Sequence, residues 1–454
     1  MKTRLFLRMT LFLMLFSLQN FYGQKHRIEL QQLFGKENVT YIDSSAFKEY
    51  YRINVRQPIN HNNTQEGFFE QQVLLGIQDP KSITILQTAG YAIPKHFNNP
   101  NYKTELTAIV NGNQVLIEHR YFGSSIPDSL TKQFLTYEQA SNDDHFIKEK
   151  LARLLTGKWI STGISKSGDA ALAYRFYYPN DVDATVAFGI SITTEAEDPR
   201  FETYIKERRK TEDGKKINEA QLYLLKNKKK LLPLFRRAFE FENQDFENWD
   251  LETLYDYGVL DLEVSFWQYY KSFDDFKLEV NTIFGEESKR EGFPPTLKLD
   301  TFEDRLVLFV AYSSIGLIDK KMTNHYYQAF SQGGYYGYEE TPFLKYLKLK
   351  DYPLSVFALE PTLFKGKFRQ DEKKWSESKM DKVIFINGDN DPWAVYKIKP
   401  AKDLDNLQVM VHNANHTLKL KDLPNEDYKN VILKLNKWLD LNLDVNRSSD
   451  ESQK

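Results

Sequence analysis

The sequence predicts an α/β protein in which a doubly wound, largely parallel sheet is interrupted by a long helical insertion. Three observations predict it. Short apolar runs, of the kind that fill buried parallel strands, alternate with stretches of helical spacing up to about residue 194 and again after residue 375. Between residues 195 and 375 the chain becomes charged and aromatic, with helical spacing and few strand signals. One strand pattern, Lys158–Gly163, also runs through a Gly-x-Ser turn straight into a helical pattern.

Taken in order, residues 1–23 place Lys2, Arg4 and Arg8 around the apolar run Leu11–Leu18 and end at Gly23, the plan of a signal peptide cleaved after that glycine. The apolar run is shorter than the roughly 20 residues a spanning helix needs, so the mature protein is expected to be secreted or periplasmic, with no stable membrane insertion. Residues 50–60 and 68–76 alternate or run apolar around the turn-rich stretch 61–67, which predicts a β-hairpin. Buried strands follow at 82–88, 114–119, 158–163, 184–190, 382–387 and 407–412, and helices at 129–155, 166–178 and 426–443. The expected organisation is therefore a signal peptide (1–23), a first part of the sheet domain (24–194), a helical cap (195–375), the second part of the sheet domain (376–445) and a disordered polar tail (446–454).

Composition narrows the function. With 454 residues, 41% of them hydrophobic and 14% aromatic, the chain can bury a large core and is not a disordered protein. A formal charge of −2 attracts no polyanion, and the basic runs 206–210 and 226–230 are flanked by acids without an aromatic binding module, so they read as solvated helix faces and nucleic acid is not an expected partner. The absence of cysteine excludes disulfides, a thiol nucleophile and zinc–thiolate sites, and no cofactor or metal is predicted.

The chemistry is carried by the turn at Gly163-Ile164-Ser165-Lys166-Ser167-Gly168. A serine nucleophile on a strand-to-helix elbow needs small residues two before and two after it, because neighbouring backbone passes close to the strained turn. Gly163 and Ser167 fill those positions, the second imperfectly. A serine hydroxyl also needs a base, and in an α/β-hydrolase sheet the order is Ser, then Asp or Glu, then His. Asp391, held extended by Pro392, follows the strand pattern ending at Asn387 and is preferred over Asp389. His416 lies in the loop after the last strand and is the expected base; His412 reads as a packed core histidine, and His119 precedes the serine and breaks the order. The oxyanion donors expected are the backbone N–H of Lys166 and that of Gly90 or Tyr91, in the loop after the strand ending at Gln87.

Seven collinear segments carry a family resemblance: 57–61 (QPINH), 118–122 (EHRYF), 157–166 (GKWI running into GISK), 176–183 (FYYPNDVD), 266–268 (FWQ), 334–338 (GYYGY) and 390–393 (NDPW). On these the chain resembles the secreted prolyl tripeptidyl aminopeptidases, serine peptidases with an α/β-hydrolase core and a helical cap, distantly related to Pro-X carboxypeptidases. The resemblance implies peptide substrates and release of short, proline-favouring peptides of tripeptide type from a free N-terminus. It places the family's serine, aspartate and histidine on Ser165, Asp391 and His416. Two positions depart from it: Ser167 stands where relatives have glycine, and Ala89 where they have glutamate. Because alanine cannot bind a substrate amine, that role is expected from the cap acids Asp261 and Glu263, with Trp267, Tyr335 and Tyr336 walling a proline pocket. Other outcomes compatible with the residues are a different peptidase or esterase on the same machinery, or a catalytically weak binding protein.

Overall fold

The computed structural model describes residues 26–446, apart from 129–130, 243, 245–248, 286–298, 353–363 and 396–397. The expected signal peptide and, beyond Asn446, the expected tail lie outside the described residues. A helix over residues 26–34 (α1) precedes a sheet that starts antiparallel, with β1 (Val39–Ile42), β2 (Glu49–Pro58) and β3 (Phe68–Ile77). β2 and β3 are the expected hairpin, in a register that pairs Tyr51 with Leu75. β4 (Thr84–Thr88), β5 (Asn113–Ile117), β6 (Trp159–Ile164), β7 (Ala184–Phe188), β8 (Val383–Gly388) and β9 (Leu407–Val411) complete a nine-stranded sheet in the order 1-2-3-5-4-6-7-8-9, parallel from β5 to β9.

Adjacent strand residues point to opposite faces, and each face finds its own helices. Ile85, Val186, Ile384 and Ile386 face a cluster completed by α2 (Glu105–Val110) and α13 (Asn425–Leu439), through Leu106, Val431 and Ile432. Val73, Leu75, Leu86 and Val115 face the other side, covered by Ile147 and Leu151 of α3 (Tyr137–Leu151) and Tyr174 of α4 (Lys166–Tyr177). A central parallel sheet covered by helices on both faces, with a helical insertion between β7 and β8, is the α/β-hydrolase arrangement.

The matched segments 57–61 and 118–122 meet underneath. Arg120, fully buried, grips Asp143 of α3 through two nitrogens at 2.7 Å, and His61 Nε2 reaches the same carboxylate at 2.7 Å. A buried cation is tolerated because it is paired and hydrogen-bonded.

Between β7 and β8 the chain forms α5 (Pro199–Arg208), α6 (Glu212–Lys226), α7 (Lys228–Phe241), α8 (Leu251–Tyr269), α9 (Phe273–Phe284), α10 (Phe302–Ile318) and α11 (Lys320–Gln328). Their apolar faces share one core, including Phe235, Phe239, Tyr255, Phe266 and Phe276. Gly258 lets α8 meet α10: a Cβ there would lie 2.3 Å from Ser314 Oγ. The expected cap boundary at 375 falls within α12 (Lys367–Ser378), whose Trp375 packs on the sheet-side cluster of Leu172, Ala187 and Phe385. Among the described residues no helix is long and apolar enough to cross a membrane.

Candidate active site

The loops that carry Tyr91, Ser165, Asp391 and His416 leave the carboxyl edge of the parallel strands, where open α/β sheets bind ligands. After β6 the backbone turns through Ser165 at φ 57°, ψ −133°, an unfavourable conformation held by Ser165 N–H donating to Phe188 O at 2.9 Å and Asp169 N–H donating to Ser165 O at 2.9 Å. Gly163 is required there, since a Cβ would sit 2.3 Å from the Ser167 carbonyl carbon. Ser167 is accommodated because its hydroxyl donates to the Thr88 carbonyl at the end of β4, while Gly168 supplies the close approach to Ile190, 2.6 Å from its would-be Cβ.

The acid and the histidine meet from separate strand ends. His416 Nδ1 lies 2.6 Å from Asp391 Oδ2, and Trp393 N–H donates to Asp391 Oδ1 at 3.0 Å. A carboxylate only accepts, so Nδ1 carries the proton and Nε2 is left as an acceptor. Nε2 is buried and, among the described residues, has no hydrogen-bond partner, and His416 lines the same cavity as Ser165. Gly189, at φ +56° after β7, makes room for the pair: a Cβ there would lie 2.9 Å from the His416 ring.

That cavity, about 560 Å³, lies beneath the cap. Asp261, Tyr335 and Tyr336 are on its wall, as are Lys166 and Tyr91. Asp261 accepts from Tyr338 Oη at 2.8 Å, Tyr336 Oη at 3.1 Å and Ser265 Oγ at 2.9 Å, and burial pushes its carboxyl above the usual range. Tyr335 and Tyr336 stack at 4.2 Å, and Trp393 meets them at 5.9 and 5.4 Å.

Several expectations do not fit this geometry. Glu263 points into the cap, where Arg209 takes it at 2.7 Å, because two residues along a helix turn a side chain well away from Asp261. Trp267 is also off the cavity wall, packed 5.0 Å from the Arg208 guanidinium. Gly90 N–H is directed to Thr88 O at 3.1 Å, so of the two loop residues only Tyr91 reaches the cavity; Gly90 is needed because a Cβ would lie 2.6 Å from Ser167 N. Ala89 packs in an apolar cluster with Phe47, Tyr50 and Leu116. His412 is an exposed residue bound to Asp389 at 2.7 Å, since the strand ends one residue before it.

The Lys166 side chain and three further residues, His325, Asp169 and Arg369, join the cavity without having been expected there. Lys166 Nζ donates to Gly90 O at 2.5 Å and lies 4.9 and 4.3 Å over the Tyr91 and Phe122 rings; burial pushes it down to about 7. His325 of α11 lies edge-on to Tyr91 at 5.3 Å, and burial with the nearby Lys166 charge lowers it to about 3, so it is neutral. Asp169 and Arg369 also line the cavity and pair at 2.9 Å. Asp169 follows Ser165 by four residues, one helical turn, and was findable on that spacing; His325 and Arg369 had no local signal.

The family described as PS-10 peptidase S37 matches residues 31–441. The prolyl tri/tetrapeptidyl aminopeptidase of Streptomyces mobaraensis is 28% identical over 356 residues, covering 76% of this chain and 70% of that protein. Among solved structures, a thermostable carboxyl esterase from Bacillus coagulans is similar at 12% identity and TM-score 0.38, covering 86% of this chain and 99% of that one. The proline iminopeptidase of Mycobacterium smegmatis is similar at 12% identity and TM-score 0.37, covering 85% and 98%.

Proposed function

This chain belongs to the PS-10 peptidase S37 family, and from that premise we propose that it is a secreted or periplasmic serine aminopeptidase releasing short, tripeptide-type, proline-favouring peptides from free N-termini. One observation carries the chemistry: the Asp391–His416 pair leaves His416 Nε2 without a partner among the described residues, on the cavity that Ser165 also lines. In this reading His416 Nε2 takes the Ser165 proton as Oγ attacks the scissile carbonyl, and the backbone N–H groups of Lys166 and Tyr91 receive the oxyanion. The proton passes to the leaving amine, giving the acyl-enzyme. Water then attacks, His416 takes its proton and returns it to Ser165 Oγ, and the short peptide leaves as an acid. Asp391 holds the Nδ1–H tautomer and balances the imidazolium.

Specificity follows from the cap. Asp261 is satisfied by three hydroxyls and by no cation among the described residues, so a substrate ammonium would supply its missing countercharge. The stacked Tyr335 and Tyr336, with Trp393 edge-on to them, give an aromatic wall suited to a proline ring.

The test uses a serine-reactive fluorophosphonate and Ala-Ala-Pro-coumarin amides. Wild type should be labelled and Ser165→Ala should not, and loss of His416 should slow turnover by roughly 10⁴-fold or more. Acetylating the substrate N-terminus should cut kcat/KM steeply, and Asp261→Asn should erase most of that discrimination. Equal cleavage of free and acetylated substrates would remove the aminopeptidase reading, and absence of labelling in wild type the triad itself.

A further inference from the structure

The loops that carry Asp391 and His416 are both fastened to the cap. Tyr204 and Arg208 stand one turn apart on α5, so their side chains leave the same face. The Tyr204 hydroxyl donates to the main-chain carbonyl of Asn390 at 2.6 Å, and the Arg208 guanidinium donates to that of Asp389 at 2.5 Å. The guanidinium lies 5.0 Å from the Tyr204 ring and 5.0 Å from the Trp267 ring on α8. On the second loop, His416 N–H donates at 3.0 Å to the carbonyl of Gln268, in the last turn of α8, where helix carbonyls lack intrahelical partners. The Tyr269 ring stands edge-on to the imidazole at 6.3 Å. The nucleophile is held differently. Ser165 N–H goes to Phe188 and the Ser167 hydroxyl to Thr88, both in the sheet domain.

We propose that Tyr204 and Arg208 are positioning residues for the reaction: by fixing the two carbonyls that precede Asp391, they set the direction of its carboxylate onto His416. The nucleophile is thus held within the sheet domain, while the acid and base loops, joined to each other by Asn390 N–H on Ala414 O at 2.9 Å, are gripped by the cap as well. Trp267 gains a role here, as the platform that orients Arg208. The inference rests on reading Ser165, Asp391 and His416 as a triad. Displacements of about 1 Å in such a constellation cost on the order of 10²-fold in rate, so holding these loops matters to turnover more than to substrate binding.

The experiment compares Tyr204→Phe, which removes one hydroxyl, with Arg208→Met and Arg208→Lys in the full chain. Read out are kcat and KM on Ala-Ala-Pro-coumarin amide, the downfield proton resonance of the His416–Asp391 hydrogen bond, and the thermal midpoint. Tyr204→Phe and Arg208→Met should lose about 10- to 100-fold in kcat with KM within about threefold, and should shift or broaden that resonance. Arg208→Lys should recover part of the loss. Lys348→Ala, at an exposed ion pair with Asp250 elsewhere in the cap, should behave as wild type. If folded Tyr204→Phe and Arg208→Met keep kcat within about twofold, or leave the resonance unmoved, the positioning role is wrong. Asp391→Asn and His416→Ala separate the two readings: if they stay active the triad fails, and if they are inactive beside a normal Tyr204→Phe only the positioning role fails.

Discussion

Lys166 follows the serine of the elbow with its side chain buried, its Nζ on the Gly90 carbonyl and aromatic rings beneath it, and among the described residues it forms no ion pair. Burial holds it near 7, against a partial pull upward from Asp169. The unfolded chain therefore keeps a proton on this lysine between about pH 7 and 10 that the folded chain has released. Stability from this group is present above the unfolded value and is lost as pH falls toward 7, with a slope of at most about 1.4 kcal/mol per pH unit. Replacing Lys166 with Met should stabilise the protein at pH 7 relative to wild type, and urea titrations should show the difference shrinking toward pH 10. A difference that does not change with pH would mean the lysine is ordinarily solvated. The sequence named Lys166 only for its backbone N–H; the side-chain environment comes from Tyr91 and Phe122, brought in by other strand ends.

At the scale of the element, the exits of β6 and β7 do the fine placement. Gly163 is readable from sequence because the elbow's demand for a small residue is local. Gly189 is not, because its constraint is the His416 ring, 227 positions further along the chain. Gly189→Ala would put a Cβ against that ring at a positive φ, costing about 1–2 kcal/mol of stability and displacing the imidazole. The expected result is a large fall in kcat with a small fall in thermal midpoint; unchanged kcat would show that the ring tolerates the displacement. The misplacement of Glu263 has a related cause. On α8, Asp261 and Glu263 are both acids in an aromatic run; helical spacing turns them to different sides, and Arg209, just past the end of α5, meets Glu263 while Asp261 faces the cavity.

For the whole molecule, Arg369 ties the parts together. From α12 it donates to Asp169 of α4 and, at 2.6 Å, to Glu372, and at 2.8 Å to the carbonyl of Gly333, which ends the π-helical turn Ala329–Gly333 leaving the cap. Arg369→Ala would leave two carboxylates without their cation, and should destabilise the protein by about 3–5 kcal/mol in denaturant unfolding. A loss below about 1 kcal/mol would show that solvent replaces the guanidinium. By itself the sequence determined the alternation of strands and helices, the elbow, and the order of serine, acid and histidine, because periodicity, small residues at a turn and chain order are local or sequential properties. The tertiary structure alone decided which cap acid meets the cavity, that Ala89 turns away from it, and that the cap grips the loops of Asp391 and His416. Those facts depend on where residues distant in sequence come into contact, and single-chain patterning carries no term for that.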